Sequence, residues 1–139
     1  MTGKVEFASP AWFEALKALL DRYTAAAPEA ELSICEVFTG VPAHLDADGD
    51  GVIAWHCYIS GGTASLHEGE IEEADLKTVA DYDFVLQLAR MKIEEATRAE
   101  YSRLQALGAQ SGKLKSNGGH AKVPPSFHGM HNELAEVTA

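Results

Sequence analysis

Cysteine is scarce, long apolar runs are missing and basic residues are few, and each shortage excludes something. The two cysteines, Cys35 and Cys57, lie in separate apolar segments, so no disulfide framework is encoded and both read as buried thiols in a reducing compartment. No stretch approaches the ~20 apolar residues a membrane span needs. The opening Met-Thr-Gly-Lys-Val-Glu-Phe lacks the apolar centre of a signal peptide, and Val-Thr-Ala at the end is no organelle address, so a cytoplasmic protein is expected. Lys and Arg number 11 against 21 Asp and Glu, a net charge of −10. That surplus argues against nucleic acid or an anionic membrane as a partner, because nothing offsets phosphate repulsion. What is present is an ordinary globular composition, 46% hydrophobic and 23% charged over 139 residues. It suits one domain spanning residues 1–139, large enough to fold without staples.

Ser9 and Pro10 open a helix, with Ser9 as cap and Pro10 where its missing N–H is harmless. Trp12, Phe13, Leu16, Leu19, Leu20 and Tyr23 form its apolar stripe, and Pro28 ends it. Residues 31–39 alternate as a strand, with Leu32, Ile34 and Phe38 on one face and Ser33, Cys35 and Val37 on the other. A polar turn over 46–51 leads to a second strand over 52–60. There Ile53, Trp55, Cys57 and Ile59 oppose His56 and Tyr58. Gly61-Gly62 permits a tight reversal into a third strand over 63–67, and 74–79 reads as a fourth after a charged link. Asp81 caps a short helix bearing Phe84, Val85, Leu88 and Met91. A further helix over 93–107, with Ile93, Ala96, Tyr101, Leu104 and Leu107 inward, is expected to stop at Gly108. A fifth strand over 112–117 and a closing helix after Pro124-Pro125, carrying Phe127, Met130, Leu134 and Val137, complete the chain. Strands joined by short turns predict an antiparallel four-stranded meander covered by helices, an α+β fold.

Residues 74–90, Ala-Asp-Leu-Lys-Thr-Val-Ala-Asp-Tyr-Asp-Phe-Val-Leu-Gln-Leu-Ala-Arg, precede a helix and then Gly-Lys-Leu-Lys-Ser-Asn-Gly at 112–118. This pattern resembles the sterol carrier protein 2 domain family, in which an Asp-bearing strand enters an Asp-Tyr helix and a Gly-Lys-Leu-Lys strand follows. The likeness runs over residues 10–138. It implies a mostly antiparallel five-stranded sheet covered by helices, an enclosed apolar cavity, and a lipid, sterol or fatty acyl ligand. The family's Gly-Lys-Leu after the middle helix is Met91-Lys92-Ile93 here, and its Gly-Asp after the fifth strand is Gly118-Gly119.

The apolar stripes then become candidate ligand contacts: Trp55, Phe84, Leu88, Met91, Tyr101, Leu104, Phe127, Met130 and Leu134, with Tyr58 as a polar-tipped neighbour. Ordinary core is the plainer reading of such stripes, and the resemblance favours a cavity. A non-catalytic carrier follows, which shelters a hydrophobic small molecule and hands it to a protein partner without inserting in a membrane. No cofactor is implied. The alternative is a small enzyme on the same scaffold, with His56, His128 or His131 as acid or base. His56 and Tyr58 share a strand face that Cys35 and His67 join if neighbouring strands pair suitably. His128 and His131 are spaced to share an ion, with His120 as a third ligand, yet no further ligand completes a site and no metal is assigned. Asp46, Asp48, Asp50, Gly51 and Ile53 match the first, third, fifth, sixth and eighth positions of a calcium loop. The twelfth is Cys57 where a bidentate Glu belongs, so the loop reads as a solvated hairpin tip.

Overall fold

The computed structural model describes residues 3–46 and 48–139, with the side chains of His120 and Ala121 outside the description. Helix α1 spans Pro10–Ala25; the Ser9 hydroxyl accepts from the Trp12 N–H, and Trp12, Leu16, Leu20 and Thr24 are its buried stripe. Strands β1 (Leu32–Thr39), β2 (Val52–Ser60) and β3 (Thr63–Glu68) follow. Gly61 and Gly62 take φ of 60° and 81°, the left-handed pair that lets β2 reverse directly into β3. Then come β4 (Leu76–Asp81), α2 (Tyr82–Ala89), α3 (Arg98–Ser111), β5 (Leu114–Ser116) and α4 (Phe127–Val137).

The sheet has five strands in the order β3-β2-β1-β4-β5. Three pairings are antiparallel, whereas β4 runs parallel to β1, Ile34 opposite Leu76 and Phe38 opposite Ala80. The expected meander is thereby corrected. After β3 the chain crosses back along 69–75 and fills the free edge of β1, which puts the most buried strand in the middle. Asp75 fixes that crossing: its carboxylate accepts from the Ser33 N–H at 2.9 Å and pairs with Lys122 Nζ at 2.7 Å, while its own N–H donates to Ser33 Oγ at 2.9 Å.

Two further corrections concern α3. Residues 91–97 are not helical, and Gly108 does not stop the helix; Gly112, at φ 77°, does. Gly108 instead marks a close approach, since a Cβ there would lie 2.6 Å from Phe84 Cε1 and 2.7 Å from Leu114 Cβ. Shifting the helix by one turn also leaves Leu107 44% exposed and Ala96 on the surface, where the sequence placed them inward.

Helices cover one face of the sheet. The main core joins α1, the inner sheet face and α4 through Leu16, Leu20, Leu32, Ile34, Phe38, Trp55, Ile59 and Phe127. One end is packed by aromatics, with Phe7 4.9 Å from both Trp12 and Phe38 and 5.3 Å from Tyr82, centroid to centroid. A second, smaller cluster of Phe84, Leu88 and Leu104 lies between α2 and α3, with Met91, Tyr101 and Leu114 against it.

Candidate functional site

Strand parity decides which side chains reach the helix-covered face. On β1 these are Leu32, Ile34, Glu36 and Phe38, and their cross-strand partners on β2 are Ile59, Cys57, Trp55 and Ile53. On β4, Thr78 stands opposite Glu36. A carboxylate therefore occupies the middle strand of an apolar sheet face, flanked by an indole on one side and a buried hydroxyl on the other. The expected inner face of β1 had Leu32, Ile34 and Phe38 without it, although the same alternation that selects those three also selects residue 36.

Glu36 is partly buried, and the surrounding protein displaces enough water to push its carboxyl up to about 7; the Trp55 indole draws it down slightly. Trp55 is 5% exposed, and its Nε1–H has no hydrogen-bond partner among the described residues. The indole lies across the strand pair from the carboxylate without satisfying it. Cys57 is pushed up to about 12, first by burial and then by Glu36, so it is an inert thiol. Tyr101 of α3 is likewise raised to about 12, first by burial and then by the Glu36 charge. The Tyr101 ring meets His131 of α4 edge-on at 5.5 Å. His131 Nε2 donates to Met91 O at 2.8 Å, and burial lowers its pKa, so it is a neutral, engaged imidazole.

The candidate ligand contacts divide accordingly. Trp55 and Phe127 belong to the main core, with Met130 and Leu134 half-buried against it. Phe84, Leu88 and Leu104 form the second cluster, with half-buried Met91 and Tyr101. Glu36 stands opposite Trp55 of the first group. Tyr58 is on the opposite face of the sheet, 47% exposed, and so stands apart from the rest. That outer face does assemble the expected neighbours: Cys35 pairs with His56 and His56 with His67, the two imidazoles stacked at 5.2 Å. Cys35 is fully buried there and His56 Nδ1 is taken up by Gly69 O at 2.8 Å.

His128 is exposed and the His120 side chain lies outside the described residues. Among the described residues, no group of three or more His, Cys, Asp or Glu is placed to hold a metal. In the acidic turn, Asp46 accepts from the Gly49 and Gly51 N–H groups at 3.0 and 2.7 Å and Asp50 from Val52 at 3.0 Å, so two of the three carboxylates shape the turn itself. Two surface hollows, of about 570 and 320 Å³, mix polar and apolar lining and lie away from the helix-covered face. One is lined by Ser33, Glu72, Asp75, Lys77 and Asn117, the other by Thr39, Asp81, Lys113 and Lys115. Among the described residues no helix is long and apolar enough to cross a membrane.

No family model and no curated protein matches the sequence. Solved structures do. One is a solution structure of a conserved hypothetical protein from Thermus thermophilus, described as possibly a sterol carrier protein; it is 20% identical, with TM-score 0.55, covering 100% of this chain and 96% of that one. Another is a crystal structure of sterol carrier protein 2, 23% identical with TM-score 0.56, covering 96% of this chain and 100% of that one. The four helices, the mixed sheet with its parallel β1–β4 pair and the near-complete coverage in both directions agree: this chain has the sterol carrier protein 2 fold.

Proposed function

We propose that this protein binds a hydrophobic small molecule, a lipid, sterol or acyl chain, between the inner face of the sheet and α3 and α4, and carries it without transforming it. The observation that supports this most directly is the state of the helix-side residues. Met91, Tyr101, Met130 and Leu134 all retain accessible surface although they belong to the two apolar clusters, while the sheet residues beneath, Ile34, Cys57 and Leu76, are buried. Accessible apolar surface on adaptable thioether and aromatic side chains suits a guest of variable shape. The two solved structures sharing the fold carry sterol carrier descriptions, in keeping with this reading. Each enclosed methylene contributes ~0.8 kcal/mol, so a twelve-carbon chain leaves several kcal/mol after ordering costs. Release to a protein partner follows from the same reading, since a ligand held by hydrocarbon contact alone has no covalent tie to break.

Nile red titration of the purified protein, read by fluorescence and competed with 1-dodecanol, tests the proposal. Saturable uptake and displacement are expected, and Met91→Trp or Met130→Trp should weaken dodecanol by about tenfold or more by filling the space. Melting temperatures near wild type in both variants would show that the loss is not unfolding. No saturable binding in the wild type, or unchanged affinity in both folded variants, overturns the proposal.

A further inference from the structure

We propose that Glu36 and Trp55 form a polar anchor inside this site, which accepts a neutral hydroxyl-ended hydrocarbon and discriminates against the same chain ending in a carboxylate. The inference rests on the binding reading above and adds the chemistry of the ligand's head.

The indole Nε1–H is a buried donor without an acceptor, and a group of that kind is rare in a folded protein because leaving it unmade is destabilising. Directly across the strand pair stands the partly buried carboxylate of Glu36, an acceptor with no hydrogen-bond donor among the described residues. The two groups sit side by side and do not satisfy each other. A hydroxyl does what neither can: its O–H donates to Glu36 and its oxygen accepts from Trp55. An ammonium supplies donors but no acceptor, which leaves the indole unpaired. A carboxylate supplies acceptors but brings a second negative charge against Glu36 in a water-poor setting, where like charges repel strongly.

Among the described residues the surroundings offer no countercharge. Around Glu36 the titratable neighbours are Cys57 from β2 and Tyr101 from α3, both neutral across the working range, and beyond Tyr101 lies neutral His131 from α4; Thr78 from β4 is uncharged. An anionic head therefore finds no cation to pair with there.

The experiment compares 1-dodecanol, dodecanoate and dodecylamine on wild type and Glu36→Gln by calorimetric titration at about pH 8.5, where Glu36 is ionised. Wild type should bind dodecanol at least about tenfold more tightly than dodecanoate, and Glu36→Gln should bring the two within about threefold, chiefly by improving dodecanoate. Trp55→Phe keeps the aromatic bulk and removes the N–H; it should weaken dodecanol about three- to tenfold and leave the carboxylate penalty in place. Equal affinity for dodecanol and dodecanoate in wild type, a ratio unmoved by Glu36→Gln, or tighter binding of dodecylamine than of dodecanol overturns the anchor while leaving the binding site intact. If none of the three binds and Nile red is not taken up either, the site itself falls, and the anchor with it.

Discussion

Ionised carboxylates lose most of their hydration when they are pressed into the middle of an apolar sheet face, so the folded state prefers Glu36 protonated up to about pH 7, whereas an unfolded chain ionises it near 4.5. The sign follows from proton counting. Between those two values the native state holds more protons than the unfolded one, and stability falls as pH rises across that window. The full cost is present above it and vanishes below it. Scaled for the surface Glu36 retains, the penalty is about 2 kcal/mol. Glu36→Gln should accordingly be more stable than wild type by about 2 kcal/mol in urea denaturation at about pH 8, and no more stable at about pH 4. A variant no more stable than wild type at the higher pH would show that the carboxylate is not destabilising there. The residue was legible in principle, because parity on β1 is unbroken and puts Glu36 with Leu32, Ile34 and Phe38. What the sequence could not show is that Trp55 sits opposite it, since cross-strand register depends on where both strands begin. Tyr58, whose polar tip suits a ligand head, lies on the outer face of the sheet, apart from the other candidate contacts.

Elements were more legible than sites wherever a local signal acts alone. Ser9 and Asp81 cap α1 and α2 as expected, with Asp81 Oδ1 accepting from Phe84 N at 3.0 Å. The glycines of the second half show where local reading stops. Gly108 lies inside α3 because Phe84 and Leu114 occupy the space beside it, and Gly119 lies where a Cβ would fall 1.8 Å from Asp75 O. Gly119 is thus a packing requirement of this chain, tied to the Asp75 crossing. Asn117 completes that joint, with its Oδ1 accepting from Lys77 N and its Nδ2 donating to Ala74 O. Gly108→Ala separates the competing effects. Helix propensity alone favours Ala by ~1 kcal/mol, but a methyl 2.6 Å from an aromatic carbon must displace either the Phe84 ring or the whole helix. The clash should win, with net destabilisation of about 1–2 kcal/mol in chemical denaturation. A stabilised variant would mean that α3 is free to move away from α2.

For the molecule as a whole, the order of the strands was the least legible feature, because a charged link of unknown path can turn back beside β3 or cross to β1, and only the completed core decides. That decision makes the sheet rigid and leaves one wall soft. Strand β1 is hydrogen-bonded on both sides, to β2 and to β4. Helix α3 buries only Leu104 and Gly108 and packs on α2 and β5, and β5 is a three-residue strand at the sheet edge. Its lead-in over 91–97 is tethered to α4 by side chains: Asn132 accepts from Ile93 N at 2.6 Å and donates to Ile93 O at 3.1 Å, and His131 holds Met91 O. Few buried contacts mean a small free energy of local opening, so α3 is the element that would yield to a ligand under the proposed binding. Hydrogen exchange measured by mass spectrometry should show amides of 98–111 exchanging faster than those of 32–39 and 76–81. Asn132→Ala should speed α3 further without affecting β1. Adding 1-dodecanol should slow α3 more than the sheet, because binding to the closed state alone stabilises it by mass action, about 2.7 kcal/mol at a hundredfold excess over Kd. The sheet has little opening left to suppress, so uniform slowing of both would place the moving part elsewhere, and faster exchange in β1 than in α3 would contradict the assignment of the soft wall to α3.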